Sequence, residues 1–170
     1  MRRLFQEYKF ISTICIMPTK HTMRTKKIDK GTRKTYDEDN SLATFEKQIT
    51  CLFLEMLMMV KLFHWKTTSY STHKATDELY EKLNGNIDEF IEILLGKTNS
   101  RINLTKNKKI RLIDLSSPNE LKREVGKFKK YLVDLNDNLV MQKMSNTDLF
   151  NVRDTILGNL NQFLYLLSFK

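Results

Sequence analysis

Five side chains in the middle of the chain, His64, His73, Asp77, Asp88 and Glu92, have the types and the spacing of a divalent-metal site. His73 and Asp77 stand four residues apart, as do Asp88 and Glu92, so on a helix each pair projects in one direction. At roughly 100° per residue, the eleven steps from Asp77 to Asp88 bring the helix to within about 20° of where it began, so all four groups share one side. Imidazole nitrogen mixed with carboxylate oxygen suits iron(II), manganese or zinc and suits copper(I) poorly. Carboxylates also stabilise a ferric ion as it forms, which favours redox iron.

Distance decides how these groups cooperate. Asp77 and Asp88 lie roughly 16 Å apart along a helix axis, whereas the ligands of one metal sit within a few ångströms of it. One helix therefore does not close one site. Two copies packed antiparallel about a twofold axis do better: the His73/Asp77 end of one faces the Asp88/Glu92 end of the other, giving two equivalent sites. His64, nine residues before His73 and one short loop away, is placed to join His73 and Asp77. The expected unit is thus a homodimer at least.

The elements that position these residues are helical. Leu42, Phe45, Ile49, Leu52, Phe53, Met56, Met59, Val60 and Phe63 recur at three- and four-residue intervals, predicting a helix from Ser41 to about Trp65. Leu54, Leu57, Met58 and Leu62 add apolar surface on its other sides, and a second copy is the simplest cover. After a polar turn, Ser71 or Thr72 is expected to cap a second helix carrying Leu79, Leu83, Ile87, Phe90 and Leu94 and ending at Gly96. Residues 97–115 read as a basic, aperiodic linker. Ser117-Pro118-Asn119-Glu120 is a helix start, since cap, first-turn proline and third-position glutamate each satisfy or avoid an orphan amide. That third helix is expected to reach about Met141, and a fourth opens at Ser145 to Asp148 and carries Leu149, Val152, Ile156, Leu160, Phe163, Leu164 and Leu167. The fold class is all-α, a four-helix bundle.

Composition agrees. The 170 residues suit one domain, and 5 Gly with 2 Pro are too few for a fold of many short strands. Cys15 and Cys51 make no disulfide framework or metal spacing and fit a reducing compartment. The net charge of +9 is concentrated: residues 1–35 hold ten basic side chains against Glu7 and Asp29, so +8 of it sits there. The chain divides into a disordered basic arm, residues 1–38, and a bundle, residues 39–170. Lys20, Arg24, Lys26, Lys27, Lys30, Arg33 and Lys34 are the arm's candidates for salt-dependent, non-specific DNA binding, with a solvated tail as the plain alternative. Ser12 and Thr13 break the apolar run Phe10 to Met17, which weighs against a secretory leader. The richest apolar stretch, Cys51 to Phe63, contains Glu55 and Lys61, so no membrane partner is expected. The expected location is cytoplasmic, or associated with a nucleoid or virion.

The run His64-Trp65, then His73-Lys-Ala-Thr-Asp77-Glu78-Leu79-Tyr80, then Ile87-Asp88-Glu89-Phe90-Ile91-Glu92, resembles the ferroxidase segment of the Dps mini-ferritins. The resemblance covers about 33 residues specifically, with weaker similarity through Thr147-Asp148-Leu149 and the closing Phe163-Leu164-Tyr165-Leu166-Leu167. It implies a ferritin-like four-helix bundle and a homo-oligomer, at least a twofold dimer and, by the same resemblance, a dodecameric shell. It also implies oxidation of iron(II) by hydrogen peroxide or dioxygen at dimer interfaces, sparing DNA from oxidative damage. The metal ligands carried over are His64, His73 and Asp77 of one subunit with Asp88 and Glu92 of its partner. The sequence departs from the family in a shorter His64 to His73 interval and in Ile93 where an arginine is expected. It also lacks the short extra helix of the long connection and the Glu-x-x-His pair of larger ferritins.

Plainer readings stand beside each feature. His64 alone is a helix-end histidine bonded to a carbonyl, and His73 with Asp77 alone is surface electrostatics of ~0.3 to 0.5 kcal/mol. Met56, Met58, Met59, Met141 and Met144 read as core filler, Cys51 as a buried small hydrophobe, and Trp65 and Tyr70 as packing residues rather than radical traps. The alternative function is a non-catalytic ferritin-fold scaffold that packages or accompanies DNA.

Overall fold

The computed structural model describes the backbone of residues 33–104 and 109–169, and side chains from Leu42 onward. Residues 1–32 lie outside it, and with them Lys20, Arg24, Lys26, Lys27 and Lys30 of the arm. The described residues are all-helical, without a strand. Four long helices, α1 (Arg33–Lys66), α2 (Tyr70–Thr98), α3 (Pro118–Asp134) and α5 (Thr147–Leu166), are joined by one short one, α4 (Leu139–Lys143).

Helix α1 starts earlier than the apolar period predicted, because neither Gly nor Pro interrupts the chain between Arg33 and Lys66. Ser69 caps α2, accepting from the Thr72 amide at 3.3 Å; the expected caps Ser71 and Thr72 lie inside the helix. Gly96 does not end α2. Asn99 does, three residues past the expected stop, in the left-handed conformation (φ 48°) that Asn tolerates better than most residues. The start of α3 is as predicted: the Ser117 hydroxyl accepts from the Glu120 amide at 3.3 Å, and Glu120 reaches back to the Ser116 amide at 2.7 Å. The third helix stops at Asp134 rather than near Met141. Leu135–Asp137 tighten into a 3₁₀ turn, and the Asn138 side chain caps a new helix by accepting from the Val140 and Met141 amides. Arg153 fixes the break from outside by donating to Asn136 Oδ1 at 2.7 Å and to the Leu132 carbonyl.

Helices α1 and α2 form an antiparallel hairpin; α2 packs on α5, α5 on α3, and α1 on α4. Phe53 and Phe90 meet edge to face at 5.3 Å where α1 and α2 cross the core, with Ile49, Leu83, Leu94, Leu121, Leu132, Leu149 and Leu160 fully enclosed around them. Met56, Met59 and Met141 fill the same core and Cys51 is buried, as expected. The connection from α2 to α3 is a crossover laid along α1. Thr98, the last residue of α2, and Ser100, at the start of the crossover, donate to Glu46 of α1 at 2.7 and 2.6 Å. The middle of the crossover presents the Arg111 amide to Glu55, and its end pairs Asp114 with Lys66 at 2.7 Å. Its own Ile113 and Leu115 are buried in the core, and it forms no helix among the described residues. The crossover returns the chain to the end where α2 began, so α3 starts there.

Leu42–Lys66 of α1 is long and apolar enough to cross a membrane, and more than half of that stretch is buried inside the bundle against α2 and its neighbours. Glu46 and Glu55 are enclosed with it.

Candidate metal centre

His64 sits in the last turn of α1 and His73 in the first turn of α2, separated by the three-residue turn Thr67–Ser69. The tight turn brings the two imidazoles into a stack, with ring centroids 3.9 Å apart and planes 25° from parallel. Each ring is tied to the main chain of the other residue. His64 Nδ1 lies 3.1 Å from the His73 carbonyl, and His73 Nδ1 lies 3.1 Å from the His64 carbonyl. A carbonyl only accepts, so both Nδ1 atoms carry the proton in these contacts. Thr76, fully buried one turn into α2, lies 3.3 Å from His64 Nδ1; its own hydroxyl proton is committed to the carbonyls of Thr72 and His73 at 2.8 and 2.9 Å. Thr76 therefore also accepts from His64.

The consequence falls on the other nitrogen. With Nδ1–H engaged, the Nε2 of a neutral ring presents a lone pair, and for His64 that atom faces Asp77 Oδ1 at 3.7 Å. The separation exceeds hydrogen-bond reach. Two electron-pair donors so placed stand slightly wider than the edge of roughly 3.3 to 3.6 Å that a tetrahedral ion with bonds of about 2.0 to 2.2 Å would span, so a small closing motion brings them to one cation. A carbonyl accepting from Nδ1 is the usual support of a metal-bound imidazole. The His64 side chain is 9% exposed and that of Asp77 is 39% exposed, so the pair opens to the surface on the carboxylate side.

The fold thus brings together His64, His73 and Asp77. It leaves Asp88 and Glu92 exposed, far along α2 from them, on the same outward side of the helix. Among the described residues, no group of three or more His, Cys, Asp or Glu side chains within one chain is arranged to hold a metal. Trp65 and Tyr70, expected to pack, are 68% and 77% exposed. Trp65 falls on the outward face of α1 and Tyr70 opens α2, so neither meets the core. Lys61 covers this edge, its ammonium 4.5 Å from the Tyr80 ring and 5.9 Å from that of Trp65.

Sequence reasoning missed Thr76, because a threonine on a core face reads as filler; its place one turn beyond Thr72, with a hydroxyl able to bond back to that carbonyl, was the available signal. It also passed over Glu46 and Glu55. Desolvation holds the Glu55 carboxyl above the usual carboxylate range, against the opposing pull of the Arg111 amide and charge. Glu46 and Glu55 tie the crossover to α1 and lie outside the histidine cluster.

No curated protein and no solved structure matches the chain. The model of a family of unknown function, DUF5856, matches residues 64–167, a span that starts at His64 and takes in all five candidate ligands. That match covers more than half of the chain, which therefore belongs to the DUF5856 family.

Proposed function

We propose that this protein is a ferritin-like homo-oligomer that binds iron(II) at sites shared across a twofold interface and oxidises it, in the manner of the Dps mini-ferritins. The observation that carries the reading is the His64 Nε2 to Asp77 Oδ1 approach at 3.7 Å, with Nδ1 already committed to the main chain. Two lone-pair donors facing each other without a proton between them invite a cation. The one long crossover, laid along α1, also fits, because ferritin-like bundles differ from simple up-and-down bundles by such a connection.

In this reading iron(II) is the substrate. His64, His73 and Asp77 supply one half of each site and Asp88 and Glu92 of the neighbouring copy the other, which accounts for the incomplete donor set within one chain. The stacked imidazoles hold their Nε2 atoms in fixed directions, and the carboxylates favour the ferric product. The balance with peroxide is two iron(II), one hydrogen peroxide and two protons giving two iron(III) and two water molecules. Removing iron(II) and peroxide together withdraws the reactants of hydroxyl-radical formation from nearby DNA.

The test is anaerobic titration of the protein with iron(II), followed by hydrogen peroxide with iron(III) read optically. Two irons bound per dimer and peroxide consumed at one per two irons support the reading, and the Asp88→Ala/Glu92→Ala variant is then expected to lose both. Absence of iron binding in the unmutated protein overturns it and favours the scaffold alternative.

A further inference from the structure

Helix α3 shows a different chemistry on a different side of the bundle. Its apolar residues Leu121, Val125, Phe128 and Leu132 are buried, and its opposite side carries Lys122, Arg123, Lys127, Lys129 and Lys130. At roughly 100° per residue these five cations occupy an arc of about 160° centred away from the core. Gly126 lies within the arc, and a Cβ placed on it would meet nothing within 4 Å, so the surface there is open. The nearby acids offset it only in part. Glu124 is turned inward, 8% exposed, and holds Lys127 at 2.9 Å and Arg123 at 3.8 Å; Asp134 holds Lys130 at 2.9 Å. Lys122 and Lys129 have no acidic partner among the described residues.

A solvated helix face ordinarily intersperses both signs, because like charges one turn apart, such as Arg123 and Lys127, repel by about 0.2 to 0.5 kcal/mol. Here the cations predominate, with Asp134 the exposed acid among them at the C-terminal end of the helix. The outward side of α2 is the reverse, with Glu78, Glu81, Asp88, Glu89 and Glu92 exposed. The apolar face of α3 is locked in the bundle, so the helix has nothing to insert into a bilayer, as an interfacial membrane helix must.

From this we infer that the outward face of α3 is a docking surface for the phosphodiester backbone of nucleic acid, independent of the N-terminal arm and of the metal reading. The cations give salt-dependent affinity without base readout, and an oligomer repeats the face.

The experiment uses the full chain and a fluorescent duplex of mixed sequence, with anisotropy measured across a salt series. Lys122→Gln/Arg123→Gln/Lys129→Gln/Lys130→Gln is compared with the unmutated protein and with a control, Lys74→Gln/Lys82→Gln, on α2. It is repeated in a background with Lys20, Arg24, Lys26, Lys27 and Lys30 changed to Gln. Each lost phosphate contact lowers the slope of log affinity against log salt by about 0.9, so the α3 variant is expected to lose about 3 to 4 in slope, in both backgrounds. The control is expected to keep its slope, and all variants their helical spectrum. Four outcomes each overturn the inference: no duplex binding by the unmutated protein, an unchanged slope in the α3 variant, an α3 effect that vanishes in the arm-substituted background, and binding to phosphatidylserine vesicles in place of duplex. A change in oligomer mass on substituting α3, with duplex binding intact, assigns the face to a second copy and overturns it too.

Discussion

His64 and His73 hold each other's backbone: each Nδ1 lies 3.1 Å from the other residue's carbonyl, across a turn of three residues. The arrangement fixes which nitrogen of each ring is left for chemistry. Thr76 adds the third contact, and its removal is the cleanest probe of how far that fixing matters. Thr76→Val is expected to weaken iron(II) binding by about tenfold, the low end of what losing a hydrogen-bond partner of a ligating imidazole costs a metal site. Thr76→Ser keeps the hydroxyl and is expected to restore it. Calorimetric titration reads the affinity, and the nitrogen-15 shifts of the His64 ring in metal-free protein read the tautomer. Unchanged affinity alongside a changed tautomer leaves Nδ1 contacts without a role at the site.

The twofold arrangement makes a prediction free of metal. If the 73/77 end of α2 faces the 88/92 end of its partner, the axis crosses α2 near residues 82 and 83, where Asn84 is the exposed outward residue. Two copies of Asn84 are then offset by about 4.5 Å along the helices. Asn84→Cys is expected to give covalent dimers on oxidation or with a short bis-maleimide, seen by denaturing electrophoresis. Ser71→Cys, at the end of the rod, is expected to stay monomeric under the same treatment.

Glu55 predicts a pH dependence of stability. Burial raises its folded-state pKa above the unfolded one, so its contribution is fully present below the ordinary carboxylate range and is lost as pH rises through the raised value. Glu55→Gln keeps an acceptor for the Arg111 amide and removes the titration. The variant is therefore expected to unfold at higher denaturant than the parent near neutral pH, with the difference shrinking as pH falls toward 4.5, the group's ordinary value.

Phe90 is fully buried and meets Phe53 edge to face at 5.3 Å, beneath the outward side of α2 that carries the candidate ligands. Phe90→Ala is expected to cost about 3 to 5 kcal/mol in equilibrium unfolding, through lost burial and the cavity left behind. Chemical denaturation monitored by helical signal checks it, with an unchanged slope on denaturant showing that the compactness of the end states is kept.

The helices were legible from the sequence because their apolar residues keep the helical period, and the start of α3 because Ser117, Pro118 and Glu120 each answer a known need of a helix end. Helix ends without such signals moved. Gly96 looked like a terminator but is an ordinary helical residue, while Asn99 supplies the left-handed cap. The end of α3 was hidden because Val133, Leu135 and Val140 continue an apolar pattern through a break that Asn138 and Arg153 create by hydrogen bonding. At the candidate site, spacing alone placed His64, His73 and Asp77 together, since a short turn between helices leaves few alternatives. Their tautomers were not legible, because these depend on main-chain carbonyls and on Thr76 rather than on any residue type that signals chemistry.

The reciprocal tie between the two histidines also makes the α1–α2 turn a latch with two bolts that share one frame. Withdrawing either ring leaves its own carbonyl still held by the other ring, so one bond alone keeps the turn closed and the turn releases only when both are broken. Whatever occupies the Nε2 side closes both bolts together, and main-chain amides from the end of α1 into the first turns of α2 should slow their exchange with solvent in a single step.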